Sequence, residues 1–380
     1  MAEKHLHIIT HDIPFPADFG GVIDIFYKIK SLHQNGVKIH LHCFENKRTR
    51  QIELEKYCEA VHYYERKTGL LNFSLKLPYI VSSRKSNELL HNLKKDNYPI
   101  LFEGVHCTYH FYNGKLNNRV VVLRLFNAEF EYYHHLALHE KNPFRKLYYS
   151  LESKLLKKYE YELSKKIPIL ALSGKDVELY QDDFGAVNIM HLPVFLPYLD
   201  AIGQQGMGCY CLYHANLEVN ENEEAALWLA QHVFNDLEIP FVIAGKNPSQ
   251  KLLFLTEQNP LACVVANPSD KDLHNLIAKA QINILPSFNN TGVKLKLLNA
   301  LYNGRHCIVN NAGVAGSGLN KACTMAEDED DFKTSVKYLY EMPYTEEENI
   351  KRQQLLKLYD NQKNAEKLID IFWGKHVVTC

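Results

Sequence analysis

Two lysines at the start of a predicted helix are the residues of this sequence with the most conspicuous chemistry. Lys294 and Lys296 follow directly after Thr291 and Gly292, where residues with the spacing of an amphipathic helix begin. Lysines in a first helical turn oppose the helix dipole, at a cost of roughly 0.3–1 kcal/mol each. A bound anion would reverse this unfavourable field, and the first N–H groups of a helix bind phosphate readily because they have no partner within it. The pattern therefore predicts an anion site.

The surrounding stretch, residues 281–311, predicts a strand, a loop, a helix and a second strand. The helix is expected over 293–303 and ends at Gly304, a frequent helix stop. A helical wheel places Lys294 inside the apolar arc, where a charged side chain usually has a partner. Phosphate contact is the favoured interpretation for Lys294, and the alternative is a side chain that extends past its neighbours into solvent. For Lys296 the two interpretations are equally favoured.

Composition limits the class of protein. With 380 residues, 46% hydrophobic and 23% charged, the chain is expected to be a soluble globular protein of two domains. A net charge of −1 gives no global electrostatic argument for nucleic-acid binding. The nine cysteines are scattered, which predicts reduced thiols and a cytosolic compartment. No spacing typical of a metal cluster, no signal peptide and no spanning segment is found in the sequence.

Strand-like and helix-like segments alternate along both halves, which predicts an α/β fold with parallel sheets covered on both faces. Near the N-terminus a strand over 5–13 leads through a loop with Gly20 and Gly21 into a helix over 22–34. Such a glycine pair lets a ligand approach the backbone closely, although a plain tight turn is an equally favoured interpretation. The predicted organisation is a first domain over 1–195, a Gly- and Gln-rich linker over 196–208, a second domain over 209–344, and a terminal helical segment over 345–380.

Polar residues end several of the predicted strands, at the sheet edge where α/β proteins bind ligands. These candidates are His106, Asn127, Glu129, His214, Asn216, Gly245 and Lys246. His106 is either a hydrogen-bonded structural histidine or a general base or orienting group, and its strand-end position favours the functional interpretation.

A basic amphipathic stretch over 141–166 combines lysines and arginine with tyrosine and leucine. A solvated helix face is the favoured interpretation, and contact with an anionic membrane surface is the alternative. Two enzyme classes are disfavoured by their motifs. The glycines of 313–318 have the order GxxGxG rather than the GxGxxG of dinucleotide-binding folds, and no GxSxG of a hydrolase is present.

Several motifs together resemble one family. PFPADFGG is similar to its first loop, PxPxxxGG, and LRLFNAEFEYY is similar to its HNxE segment through Asn127 and Glu129. TGVKLKLLNALYNGRHCIV, which starts at Thr291, resembles its donor-phosphate helix, TGxKxKxLEALxxGxPVV. Over nearly its whole length the chain resembles the GT-B glycosyltransferases, in particular glycosyltransferase family 4, the group 1 glycosyltransferases.

This resemblance implies two Rossmann-like domains facing each other across a cleft, with a final helix that crosses back to the first. It implies a nucleotide-sugar donor in the C-terminal domain and a glycan or lipid-linked acceptor mainly in the N-terminal one. Neither a cofactor nor a metal is expected, because the donor is a substrate and lysines with helix dipoles would hold its diphosphate. The implied catalytic residues are His106 and Lys294, and the implied acceptor-side residues are Asn127 and Glu129. The implied donor-binding residues are Gly20, Gly21, Gly245, Lys246, Thr291, Gly292, Lys294, Lys296 and Asn299.

The sequence also departs from the family pattern. The two carboxylates of the family's E-x7-E motif would fall at Thr291 and Asn299, and the Arg/Lys pair expected within 215–221 is missing. Asn299 retains the ability to hydrogen-bond a ribose hydroxyl as a neutral group. A sugar-nucleotide epimerase or hydrolase of the same fold, and a non-catalytic nucleotide-sugar-binding protein, are therefore the alternatives to a hexosyltransferase of polysaccharide synthesis.

Overall fold

The computed structural model describes residues 3–18, 20–69 and 73–374. The chain divides into two compact units. The first comprises Met1–Pro197 and Tyr359–Cys380, and the second comprises Tyr198–Leu358.

A parallel sheet of seven described strands forms the centre of the first unit, in the order β3-β2-β1-β4-β5-β6-β7. The strands are β1 (Lys4–Thr10), β2 (Val37–Glu45), β3 (Ala60–Glu65), β4 (Ile100–Glu103), β5 (Val121–Leu125), β6 (Ile169–Ala171) and β7 (Ile189–His191). The helices that precede the second unit are α1 (Gly20–Gln34), α2 (Tyr79–Ser82), α3 (Asn87–Leu93), α4 (Tyr109–Tyr112), α5 (Glu129–His139), α6 (Pro143–Ser164) and α7 (Gly174–Phe184). The central strands are buried on both faces, which explains their nearly continuous apolar sequences.

The second unit contains a parallel sheet of six described strands in the order β10-β9-β8-β11-β12-β13. The strands are β8 (Cys211–Asn216), β9 (Phe241–Lys246), β10 (Ala262–Ala266), β11 (Ile282–Ile284), β12 (His306–Val309) and β13 (Thr324–Met325). The helices are α8 (Asn220–Trp228), α9 (Gln250–Glu257), α10 (Asp270–Lys279), α11 (Leu295–Asn303), α12 (Asn311–Val314), α13 (Glu329–Tyr340) and α14 (Glu346–Leu356).

The last helix, α15 (Asn361–Trp373), belongs to the first unit. It packs on α1 and buries Leu368 and Phe372 in the core beneath that helix. The terminal helical segment predicted over 345–380 is therefore two helices. A short 3-10 turn, Lys357–Tyr359, separates α14 from α15, and the side chain of Asp360 caps α15. The predicted architecture of two parallel-sheet Rossmann-like domains is confirmed.

A fully buried group of four charges stabilises the centre of the first unit. Lys28 Nζ lies 2.8 Å from Asp24 and 2.7 Å from Glu103, and Arg124 Nη2 lies 3.1 Å from Asp24. Arg124 also donates to the backbone carbonyls of residues 192 and 193. Each buried cation here has a carboxylate partner, as buried charges require. The network therefore fixes the chain segment that precedes the second unit.

No helix within the described ranges is long and apolar enough to cross a membrane.

Candidate functional site

The predicted anion site lies at the start of α11, at the C-terminal edge of the second unit's sheet. The helix begins at Leu295, two residues later than predicted, with Lys294 as its N-cap in an extended conformation. Lys294 therefore precedes the apolar arc of the helix and does not lie on it, which corrects the sequence prediction. Gly292 has a φ of 64°, which suits glycine, and this turn delays the helix. Lys294 Nζ folds back and donates to the carbonyl of Thr291 at 2.6 Å.

Lys296 reaches from α11 across to β8 and α8. Its Nζ lies 3.1 Å from Asn222 Oδ1 and 4.9 Å from the centre of the Tyr213 ring. Burial, together with the charge of Lys294 and against the opposing charge of Glu221, lowers the pKa of Lys296 to about 7. No carboxylate among the described residues lies at ion-pairing distance from Lys296. The site thus contains a half-buried ammonium group held by neutral partners.

His214, near the C-terminal end of β8, is the third polar group of this site. Its side chain is buried, and its Nε2 has no hydrogen-bond partner within the described residues. Burial and the nearby Lys296 lower the pKa of His214 to about 3, so the imidazole is neutral. Because buried polar atoms are nearly always hydrogen-bonded, an unpaired nitrogen beside a lysine indicates a place for a ligand.

Asn289 organises the loop before α11. Its Oδ1 accepts hydrogen bonds from both the backbone N–H and the hydroxyl of Thr291, each at 2.8 Å. Its Nδ2 donates to Glu221 Oε2 at 3.0 Å. The backbone N–H of Thr291, an implied donor-binding residue, is therefore already hydrogen-bonded within the loop. Glu221, in the first turn of α8, supplies a carboxylate that motif reading missed, because nothing in the sequence indicated its proximity to Asn289.

The remaining donor-binding candidates, Asn299, Gly245 and Lys246, differ in their surroundings. Asn299 Oδ1 accepts a hydrogen bond from Asn303 Nδ2 at 2.8 Å, so part of its amide is used within α11. Gly245 lies at the end of β9, where an added Cβ would be 2.1 Å from the carbonyl of Ala215. Strand packing alone therefore explains that glycine. Lys246 is exposed at the same strand end.

His106 lies at the C-terminal edge of the first unit's sheet, directly after β4. Its ring stacks on His11, the residue after β1, with ring centres 5.2 Å apart. Its Nδ1 is buried without a partner among the described residues. Burial places the pKa of His106 well below its ordinary value, and Arg84 and His11 lower it further. Gly104 has a φ of 84°, and a Cβ there would lie 2.9 Å from His106 Nδ1, so this glycine permits the position of the imidazole.

Glu129 is the first residue of α5 and lies at the same edge. It is buried, and burial raises its pKa to about 7 although Arg84 lowers it. Asn127, two residues earlier, is half-buried. Gly20 and Gly21 form the first residues of α1, which begins two residues earlier than predicted. The first unit thus contains His106, Glu129 and the glycine pair. The second unit contains the other residues that were predicted to bind the donor.

Over the described ranges, no group of three or more His, Cys, Asp or Glu side chains is placed to hold a metal ion.

Comparison with known proteins shows what this chain is similar to. Residues 208–342 match the family model described as Glycosyl transferases group 1. A Klebsiella pneumoniae protein described as an uncharacterized 44.6 kDa protein in the cps region is 27% identical over 344 residues, covering 85% of this chain and 87% of that protein. The crystal structure of S. aureus TarM in complex with Fondaparinux, alpha-GlcNAc-glycerol and UDP superposes with a TM-score of 0.65 at 11% identity, over 97% of this chain and 99% of TarM. WaaG, a glycosyltransferase involved in lipopolysaccharide biosynthesis, superposes with a TM-score of 0.61 at 12% identity, over 97% and 100% of the two chains.

The fold is therefore that of the GT-B glycosyltransferases. The match to the group 1 model falls within the unit that contains α11 and its lysines, and it confirms the predicted resemblance to the group 1 glycosyltransferases.

Proposed function

We propose that the protein transfers a hexose-type sugar from a nucleotide-sugar donor to a glycan or lipid-linked acceptor during surface polysaccharide synthesis. The second unit would hold the donor and the first unit the acceptor. Two comparisons support this proposal: the relative from a cps region and the TarM complex that contains UDP.

The observation that carries the proposal is the group of polar residues at the start of α11. The N-cap residue Lys294 and the first-turn residue Lys296 place two ammonium groups at the start of a nine-residue helix. Lys296 lies beside His214, whose Nε2 has no hydrogen-bond partner among the described residues. A donor diphosphate satisfies the helix N-terminus and both cations at once. As the sugar leaves, negative charge increases on the diphosphate, and these fixed positive charges stabilise the transition state.

The first unit would supply the groups around the acceptor. His106 and Glu129 lie at one edge of its sheet, the imidazole neutral and the carboxyl with a pKa of about 7. A carboxyl with that pKa is suited to accept a proton from an acceptor hydroxyl near neutral pH. We assign Glu129 and Asn127 to acceptor binding and His106 to orientation of the reacting sugar. The donor is a substrate, and the proposal requires no separate cofactor.

A thermal-shift panel of UDP-, GDP-, ADP-, CMP- and dTDP-sugars tests donor binding. At least one nucleotide sugar should stabilise the protein, by about 2.7 kcal/mol at a hundredfold excess over Kd. Lys294→Ala should weaken binding of that donor by about tenfold, because a charged contact to a phosphate is lost. Lys279→Ala, at the exposed C-terminal end of α10, is the matched control and should bind normally. If no nucleotide sugar stabilises the protein, the proposal is wrong.

We further propose that the protein acts at the cytoplasmic membrane face through the tip of the α5–α6 hairpin. Three large apolar side chains there are exposed: Leu138 and Leu147, each at 59%, and Phe144 at 83%. Lys141, Arg145 and Lys146, which are also exposed, surround them. Apolar side chains bordered by cations match the chemistry of an anionic lipid surface.

Vesicle sedimentation tests the membrane contact. The protein should sediment with vesicles that contain anionic phosphatidylglycerol, more weakly with phosphatidylcholine alone, and less as salt increases. The double variant Phe144→Ser, Leu147→Ser should lose most of this binding, whereas Phe254→Ser, an exposed phenylalanine of α9, should not. Equal binding of both lipids, or unchanged binding by the double variant, would refute this contact.

A further inference from the structure

A second group of cations lies at the C-terminal edge of the first unit's sheet. The strand order reverses direction at β1 and β4, which is where open α/β sheets bind ligands. His11 follows β1 and His106 follows β4 at this point, and Phe126 contacts His11 edge-on at 5.3 Å between ring centres. Ligand binding is therefore expected at this edge for topological reasons, independently of any motif.

Two arginines border these histidines. Arg84 is 3% exposed, and it donates to the carbonyl of His11 at 3.0 Å and to that of Ile80 at 2.7 Å. Arg66, the residue after β3, is half-buried and donates to Ser83 Oγ at 3.2 Å and to Asn46 Oδ1 at 3.4 Å. All of these partners are neutral. A guanidinium has five N–H donors, so both arginines keep donors for further partners.

Neither guanidinium lies at ion-pairing distance from a carboxylate in the part of the chain that the structure describes. Asp12 and Glu129 are two carboxyl groups whose charges interact with Arg84, and burial raises the pKa of both. The pKa of Arg84 is lowered to about 10, first by burial and then by the charge of Arg66. The two arginines therefore repel each other, and no carboxylate among the described residues lies close enough to form an ion pair with either.

Two other buried cations of the same unit each have a carboxylate partner. Lys28 and Arg124 are completely buried, and each lies within 3.1 Å of a carboxylate oxygen. A structural arginine at the position of Arg84 is thus expected to have a similar partner. The contrast between these two groups indicates that the counter-charge for Arg66 and Arg84 comes from outside the chain.

We propose that Arg66 and Arg84, beside His11 and His106, bind an anionic group of the acceptor, a phosphate or a carboxylate. The inference rests on the proposed transferase function, and it narrows the acceptor to acidic molecules. A guanidinium can make two parallel hydrogen bonds to either kind of oxyanion. A phosphate would come from a lipid-phosphate carrier, and a carboxylate from an acidic sugar of a growing glycan.

The test compares acidic and neutral acceptor analogues on the full chain, with the nucleotide that binds best in the panel present at saturation. That nucleotide occupies the lysines of α11, so the analogue reports on the first unit. The probes are octyl phosphate, octyl β-glucuronide and octyl β-glucoside, measured by calorimetry. At least one acidic probe should bind about tenfold or more tightly than the neutral glucoside. The tighter of the two acidic probes distinguishes the lipid-phosphate source from the acidic-sugar source.

Arg66→Gln should reduce this preference to about twofold or less. Arg66→Lys should keep only part of the preference, because the positive charge remains but the paired N–H donors of the guanidinium are lost. Lys38→Gln is the matched control, since it removes one exposed positive charge near the start of β2. Arg66 is the position of choice because a substitution of the more deeply buried Arg84 would also remove its hydrogen bonds to the carbonyls of Ile80 and His11. The proposal is overturned if the neutral glucoside binds as tightly as both acidic probes, if no probe binds, or if Arg66→Gln keeps the full preference. Loss of nucleotide binding would instead refute the donor site, and the panel detects that separately.

Discussion

Lys296 changes its charge close to neutral pH, since burial lowers its pKa to about 7. A bound diphosphate favours the charged ammonium, so above that pH the donor can bind only with uptake of a proton. The affinity for the preferred nucleotide sugar should therefore weaken as the pH rises from 7 to 9, by up to about tenfold per unit. Calorimetry in two buffers with different ionisation enthalpies measures both the affinity and the proton uptake.

Lys296→Arg provides the control, because a guanidinium remains charged throughout this pH range. Its donor affinity should change little between pH 7 and pH 9, and its proton uptake should vanish. If the original protein binds the donor equally well at both pH values, the assignment of Lys296 as a titrating donor contact is incorrect.

Individual residues differ in how well sequence reasoning could find them. Lys294 and Lys296 were recognisable because charge at a helix start conflicts with the helix dipole. Arg66 and Arg84 gave no such signal. The argument for them is that no carboxylate of the described residues lies at ion-pairing distance, and only three-dimensional packing reveals this. His11 and Glu221 were missed for the same reason. Each gains its neighbours from strands or helices that are distant in sequence.

Strands β1, β2 and β3 present a row of histidines on one face of the sheet. The row includes a hydrogen-bonded chain that runs from Asp96 to His7 at 3.0 Å, from His7 to His42 at 2.8 Å, and from His42 to Tyr64 at 2.8 Å. The alternation of histidine in HLH of β1 and again in HLH of β2 is visible in the sequence. The parallel register that pairs them is not, because it depends on how the two strands align.

This row should make the first unit sensitive to acid. Burial lowers the pKa of His7 to about 4 and that of His42 well below its ordinary value, although Asp96 opposes the change at His7. Below the ordinary pKa of 6.5 the unfolded chain takes up protons that the folded chain excludes. Stability is therefore complete above pH 6.5 and is lost as the pH falls towards 4, at up to roughly 1.4 kcal/mol per unit for each histidine.

Urea unfolding at a series of pH values measures this loss. His7→Gln should give a shallower fall in the free energy of unfolding between pH 6.5 and pH 5, because one excluded proton is removed. His91→Gln, an exposed histidine of α3, is the matched control and should leave the slope unchanged. An unchanged slope in His7→Gln would show that other groups cause the acid sensitivity.

At the scale of the whole molecule, the chain order of elements was predictable, and the resemblance implied a final helix that returns to the first domain. The division of the last segment into α14 and α15 was not predictable. Alternating strands and helices define two α/β sheets, and the resemblance to GT-B proteins supplies the rest of the architecture. The final segment has helical spacing throughout, and only tertiary contacts show that α14 belongs to one unit and α15 to the other. Local periodicity gives the type of an element but does not say which core receives its apolar face.

The discontinuous first unit leads to a prediction about truncation. A chain that ends at Leu358 lacks α15 and exposes the core surface of α1 that Ala365, Leu368 and Phe372 cover. Burial of one large apolar side chain contributes roughly 1.5–3 kcal/mol, and a domain has only about 5–15 kcal/mol in total. The first unit should therefore lose most of its stability, whereas the second, whose residues are continuous in sequence, should still unfold cooperatively.

Differential scanning calorimetry with limited proteolysis should show one surviving transition and a protected fragment close to 198–358. Leu368→Ala should cost about 2–5 kcal/mol in the first unit alone. Simultaneous unfolding of both units in the shorter chain would contradict their independence.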